Sequence, residues 1–250
     1  MDMDKTNLAN LTGLWKKYGA QPISNDAVPL QYTNLAWPHR CWFDVGIDNL
    51  NHANYSTWLD RVPQSAIIPL WPMIDASIHL QNESLEKQLL EQKWRCTFEQ
   101  KAMYMELQDA DTYSPPIRVG FSVSLVRTCE DLKKWVNIGS EAFAYSIDYS
   151  VVENLIDDGD IKIVLGWQGK QAVAAALLYK TYDIIGIHQV GVKKAFQGQG
   201  IARYLMRYIM EMCVLWQGKY VVLQASQSGQ PLYESLGFNS QFTIKNYQRV

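Results

Sequence analysis

Leu8, Leu11, Trp15 and Tyr18 recur at the three-and-four spacing that gathers side chains on one face of a helix, and Gly19 stands where such a helix would stop. Apolar runs then alternate in type. Cys41–Ile47 reads as a strand, Asn51–Asp60 as a helix, Ala66–Trp71 as a strand, Ser84–Gln92 as a helix and Ala102–Leu107 as a strand. The polar run Gln108–Pro116 ends in adjacent prolines, which continue neither a helix nor a central strand. A domain boundary is placed there, dividing the chain into 1–112 and 113–250.

Beyond the boundary the patterning sharpens. Ile117, Val119, Phe121, Val123 and Leu125 alternate with smaller or polar residues, as one buried strand face requires. Thr128 with Asp131, and Ser150 with Glu153, resemble capping boxes and predict two helix starts, the second helix ending at Gly159. Ile161–Trp167 and Ala172–Tyr179 flank Gln168-Gly-Lys170 as a hairpin, and Ile184–Val192 supplies a further strand. Ile201, Leu205, Ile209, Met212 and Trp216 then share a helical face; a strand over Tyr220–Gln224, a short helix over Pro231–Leu236 and a strand over Phe242–Tyr247 follow. The predicted order is strand, two helices, three strands, helix, strand, helix, strand: an α/β (α+β) fold with a mixed, mostly antiparallel sheet flanked by helices.

Composition narrows the function. The 250 residues carry 48% hydrophobic side chains and a net charge of −2, without a long basic run, so a sizeable core is expected and general nucleic-acid binding is not. The longest apolar stretch, Ala172–Tyr179, falls well short of the roughly 20 residues a membrane helix needs. No basic, apolar leader opens the chain, so a cytoplasmic location and no membrane partner are expected. Cys41, Cys96, Cys129 and Cys213 lack paired spacing and are read as reduced, mostly buried thiols. His39, His52, His79 and His188 are equally scattered, and no metal is expected.

Chemistry concentrates in Val190-Gly-Val-Lys-Lys-Ala-Phe-Gln-Gly-Gln-Gly-Ile-Ala202, a strand end, a glycine-bearing loop and a helix start. Gly198 and Gly200 can take positive φ and bring successive N–H groups toward one anion, at a helix end whose dipole favours negative charge. A tight strand-to-helix connection would need the same glycines, so the fragment alone leaves both readings open. Gln197-Gly-Gln-Gly-Ile-Ala202 resembles the Gln/Arg-x-x-Gly-x-Gly/Ala signature of the GNAT superfamily of N-acetyltransferases. Leu223 to Phe238, with Tyr233 and the Leu-Gly-Phe ending, is similar to that family's second hallmark.

The resemblance spans about Ile117 to Val250 and implies a GNAT-like fold that transfers an acetyl group from acetyl-CoA to an amine by direct attack in a ternary complex. It implies that the strand before the loop splays from the next to admit the pantetheine arm. Val190, Gly191 and Val192 then pair with pantetheine, and Gln197, Gly198, Gln199, Gly200, Ile201 and Ala202 wrap the diphosphate. Ser226 contacts the cofactor where the family often has Asn, and Tyr233 protonates the leaving thiolate. A packing tyrosine is the plain alternative for Tyr233. His188, two residues before Val190 on the same strand face and with an ordinary pKa of about 6.5, is the candidate base; a hydrogen-bonded structural histidine is its alternative.

The acceptor is expected to be an amine-bearing small molecule or peptide, its identity and the oligomeric state being open. A non-catalytic acetyl-CoA-binding module and a transferase of longer acyl groups are the competing functions. The first half echoes part of the same element order and is read as a degenerate, accessory copy. Asp48-Asn-Leu-Asn51 stands where a phosphate loop would be, without glycine and with a carboxylate, so no CoA is expected there. Trp37, Trp42, Tyr55, Trp58 and Trp71 either line an acceptor site or form that half's core.

Overall fold

The computed structural model describes residues 2–25, 28–43, 58–72, 85–113 and 118–249. Asp48–Asn51 and Tyr55 lie outside these residues. The chain forms two compact units: Met1–Met103 together with Gln224–Val250, and Tyr104–Leu223.

The first unit opens with helix α1 (Met3–Lys17), whose N-cap Asp2 accepts hydrogen bonds from the N–H groups of Asp4 and Lys5. Its Leu8, Leu11, Leu14 and Trp15 are buried, as the spacing predicts, and Gly19 takes φ +87° just past the end. Strands β1 (Gln21–Asn25), β2 (Val28–Thr33) and β3 (Cys41–Phe43) form an antiparallel sheet in that order. The β1–β2 pair has no counterpart in the sequence pattern, because Gln21-Pro-Ile-Ser-Asn25 carries no alternating apolar face. Strands β4 (Ile68–Leu70) and β5 (Trp94–Glu106) flank the final strand β11 (Asn239–Arg249), and residues 85–91 are helical.

A relay of amides fastens α1 within this unit. Gln241 donates to Asp4 at 2.6 Å, Asn7 donates to Gln241 at 2.6 Å and to the Met103 carbonyl at 3.1 Å, and Gln224 donates to Asn7 at 2.7 Å. Asn7 is only 1% exposed, so these bonds are what make burying its amide tolerable. Trp37, Trp42, Trp58 and Trp71 are all buried, with Trp15 edge-on to Trp42 at 5.1 Å, so the described tryptophans of this half belong to its core.

Glu86 gathers Lys245, 2.8 Å away, and the Tyr247 hydroxyl. Burial pulls its carboxyl upward, but the two hydrogen bonds and the lysine charge outweigh that, and its pKa falls below the ordinary value. A group depressed in this way stabilises the fold above its unfolded pKa of about 4.3 and loses that contribution as pH drops through the folded value. Glu86→Gln is therefore expected to lower the urea midpoint at pH 7, with the difference from the wild type shrinking as pH falls below about 4. A constant difference across that range would remove the carboxylate from the effect.

The second unit holds β6 (Phe121–Leu125), β7 (Ile161–Gln168), β8 (Gln171–Thr181), β9 (Ile184–Val192) and β10 (Tyr220–Ser226), hydrogen-bonded in the order β10-β9-β8-β7-β6; β10 runs on past the unit's last residue. β9 and β10 are parallel and the other pairs antiparallel, as a mixed, mostly antiparallel sheet requires. The predicted element order holds through helices α2 (Cys129–Phe143), α3 (Tyr149–Glu153), α4 (Ile201–Leu215) and α5 (Gln230–Ser235). Val173–Tyr179 of β8 is buried throughout, because helices cover both faces. On one face, Phe121 packs against Tyr204 and Tyr208 of α4; on the other, Ala142 and Phe143 of α2 close over Gly191.

Several boundaries move. β6 begins at Phe121, since Gly120 turns at φ +77° and its carbonyl accepts from the Gly169 N–H at 2.6 Å; Ile117 lies outside the described residues. Thr128 caps α2 as predicted, but Asp148, not Ser150, caps α3. Asp148 reaches the Ser150 N–H at 2.9 Å, while the Glu153 carboxylate takes the Tyr149 hydroxyl instead of closing a box; α3 ends at Glu153, well before Gly159. Cys41 and Cys213 are buried but Cys96 and Cys129 are exposed, so burial holds for half of the thiols only. Among the described residues no helix is long and apolar enough to cross a membrane.

Candidate functional site

The site is built at the C-terminal end of β9. The parallel ladder with β10 stops at Gly186–Val222, whereas β9 continues to Val192 paired to β8. The opposite edge of β9 is thereby released from β10 over its last residues. The Lys193 N–H donates to the Val173 carbonyl at 2.9 Å, so the alternate residue Val192 turns its own amide to the other edge. The Gln197 side chain donates to the Val192 carbonyl at 3.0 Å and ties the loop to the strand.

A β-bulge interrupts this segment. Leu177 faces His188 and Ala175 faces Gly191, so Gln189 and Val190 together oppose Ala176, and Gln189 is left-handed at φ +52°. The extra residue reverses the alternation. His188 shares its face with Gly191, not with Val190, which corrects the expectation drawn from two-residue spacing. His188 is buried at 8% exposure and Val190 is half-buried. The bulge is braced from outside by Tyr145, whose hydroxyl donates to Gln189 at 3.0 Å and whose ring stacks on Phe143. Gly191 is a glycine for space: a Cβ there would lie 2.8 Å from that of Ala142.

The loop leads through a 3-10 turn, Lys194–Phe196, into α4. Gly198 at φ +73° and Gly200 at φ +76° are both left-handed, and neither would meet a heavy atom closer than 4.0 Å through a Cβ. Backbone conformation, rather than space, requires glycine there. Gly200 is the N-cap of α4 and supplies no side-chain cap. The N–H groups of Gly198, Gln199, Gly200, Ile201 and Ala202 find no acceptor among the described residues, at the positive end of a 15-residue helix. That arrangement suits an anion held by main-chain N–H groups.

Gln199 folds its amide back onto the Ala195 carbonyl at 3.2 Å, and Ile201 is buried. Two loop neighbours have no signal in the sequence. The Arg118 guanidinium donates to the Gln199 carbonyl at 2.6 Å, and the Glu141 carboxylate accepts the Lys194 N–H at 2.8 Å. Both are remote in sequence and neither falls in a motif.

Ser226 and Tyr233 belong to the first unit. Ser226 accepts the Gly229 N–H at 3.2 Å and lies 3.2 Å from the Ser228 hydroxyl, shaping the entry to α5. Tyr233 is buried, edge-on to Phe238 at 5.7 Å, and burial pushes its phenol up to about 12. It is thus protonated through the neutral range. Among the described residues no group of three or more His, Cys, Asp or Glu is placed to hold a metal ion.

Residues 126–246 match the family model described as the acetyltransferase (GNAT) domain. Among curated proteins, the chain is 34% identical over 84 residues to Protein ElaA of Escherichia coli and likewise to that of Shigella flexneri, the match covering 32% of this chain. It spans about half of those relatives, 55% of their length. Among solved structures, a GCN5-related N-acetyltransferase from Kribbella flavida aligns with TM-score 0.67 at 14% identity, over 96% of this chain and 94% of that one. A GCN5-related N-acetyltransferase from Sphaerobacter thermophilus aligns with TM-score 0.59 at 16% identity, over 91% of this chain and 75% of that one. At such identities these likenesses concern the fold.

Proposed function

We propose that the chain transfers an acetyl group from acetyl-CoA to an amine-bearing small molecule or peptide, a reading supported by the match of residues 126–246 to the acetyltransferase (GNAT) domain model. The observation that carries this proposal is the row of unaccepted N–H groups from Gly198 to Ala202, set up by two left-handed glycines ahead of α4. Such a row matches a diphosphate in charge and in donor geometry. The edge of β9 released from β10 supports the second element, pairing of the pantetheine amides with main-chain groups of Val190 and Val192, with Gly191 between them. An N–H on that edge would also polarise the thioester carbonyl.

In this mechanism the neutral amine attacks the acetyl carbon, the carbonyl electrons move to oxygen, and their return expels the CoA thiolate. The C–N bond forms and the C–S bond breaks. His188 takes the proton released by nitrogen, and Tyr233 donates the proton that the sulfur receives. Tyr233 is assigned by its place in the second motif and by a phenol that burial keeps protonated. Ser226 is proposed to contact the cofactor through its hydroxyl. Residues 1–112 are proposed to be accessory and to bind no CoA of their own.

The test is direct. The protein incubated with acetyl-CoA and a panel of amines, including a peptide N-terminus, a lysine peptide and a polyamine, is expected to release free thiol above the hydrolysis background in an amine-dependent manner. Uptake of CoA without amine-dependent thiol would replace the transferase by a binding module. No uptake at millimolar CoA would remove the site itself.

A further inference from the structure

The glycine loop is short of charge. From Ala195 to Ala202 no residue carries an ionisable side chain, so the loop by itself meets a doubly charged diphosphate with main-chain dipoles only. One nearby carboxylate, Glu141, opposes anions at the loop entrance through its bond to the Lys194 N–H. Lys193 and Lys194 precede the loop and Arg203 follows it.

Arg118 changes that balance. Its guanidinium donates to the carbonyl of Gln199, the residue between the two left-handed glycines, and lies 5.1 Å from the ring centre of Tyr204 on α4. The residues that follow it are held in place: Phe121 packs on Tyr204 and Tyr208, and the Gly120 carbonyl accepts the Gly169 N–H. A guanidinium has five N–H donors, so one bond to Gln199 and a ring contact leave further donors beside the loop. The contact with the Tyr204 ring also restrains the guanidinium, which lowers the ordering cost of a phosphate contact.

Resting on the CoA reading above, we infer that Arg118 is a ligand-binding residue of the glycine loop, supplying the cation that pairs with the diphosphate of CoA. It reaches the loop from outside the recognised motif, from the segment ahead of β6.

Calorimetric titration with CoA and with 3′-dephospho-CoA tests the assignment, using wild type, Arg118→Ala, Arg118→Gln and Arg118→Lys, with thermal unfolding as the check on folding. Arg118→Ala and Arg118→Gln are expected to bind both ligands about tenfold more weakly, with a smaller salt dependence, and Arg118→Lys to recover part of the loss. Glutamine can still donate to the Gln199 carbonyl, so full affinity in Arg118→Gln would make Arg118 a loop clip and overturn the inference. A loss confined to CoA would move the contact to the 3′-phosphate and overturn the diphosphate assignment. Wild-type affinity in Arg118→Ala would also overturn it, whereas failure of the wild type to bind either ligand would sink the CoA reading beneath it.

Discussion

Gly200→Val is expected to weaken CoA binding by a hundredfold or more while leaving the fold intact. Gly200 sits at φ +76°, ψ 4°, where a β-branched residue is strained by at least about 1–2 kcal/mol, although the nearest atom to a new Cβ, on Tyr204, is 4.0 Å away. The loop would relieve the strain by rotating out of the left-handed region, and the N–H groups of Ile201 and Ala202 would lose their common direction. Losing one or two charge-assisted hydrogen bonds at about 1.5–3 kcal/mol each corresponds to the stated loss. Gly159→Ala is the matched control: that glycine is exposed, shows no positive φ and has nothing within 4 Å of the place an added methyl would take, so titration should give the wild-type constant. A Gly200→Val dissociation constant within threefold of wild type would show that the loop does not grip the ligand.

Tyr233→Phe is expected to lower kcat by about a hundredfold with the acetyl-CoA dissociation constant unchanged, the range in which a positioned acid contributes. Phenylalanine keeps the edge-on contact with Phe238, so unfolding should shift little. Because burial holds the phenol near 12, it stays protonated and active across the neutral range, and no alkaline loss assignable to it should appear below about pH 10. His188→Ala is expected to lower kcat/KM, since it removes the proposed acceptor of the amine proton, and an unchanged value would take His188 out of the mechanism. Unchanged turnover in Tyr233→Phe would return that residue to a packing role.

What the sequence discloses is local. The glycines of Gln197–Ala202 announce their conformation because no other residue takes it cheaply, and the order of strands and helices in the second half follows from runs of apolar side chains. The bulge stays hidden because it depends on Gln189 adopting a left-handed backbone, held by Tyr145 from the end of another helix. Without it, period-two counting sets His188 on the wrong face. The cap of α3 shifts by two residues because Asp148 and Ser150 are both competent caps, and only the backbone path distinguishes them. Arg118 is silent in the sequence for a different reason: a single arginine outside any motif acquires meaning only when the chain brings it to Gln199.

The amide relay around Asn7 has a temporal consequence. Its members are far apart along the sequence: Asn7 on α1 bonds Gln224 and Gln241, 217 and 234 positions later. During synthesis Gln224 and Gln241 emerge long after α1, and until then the Met103 carbonyl is the one partner of this relay within reach of the Asn7 amide. The stretch from Tyr104 to Leu223, which carries the glycine loop, is continuous and can assemble before the relay is complete. Synthesis therefore delivers the stretch with the glycine loop before the strand β11 that closes the first unit.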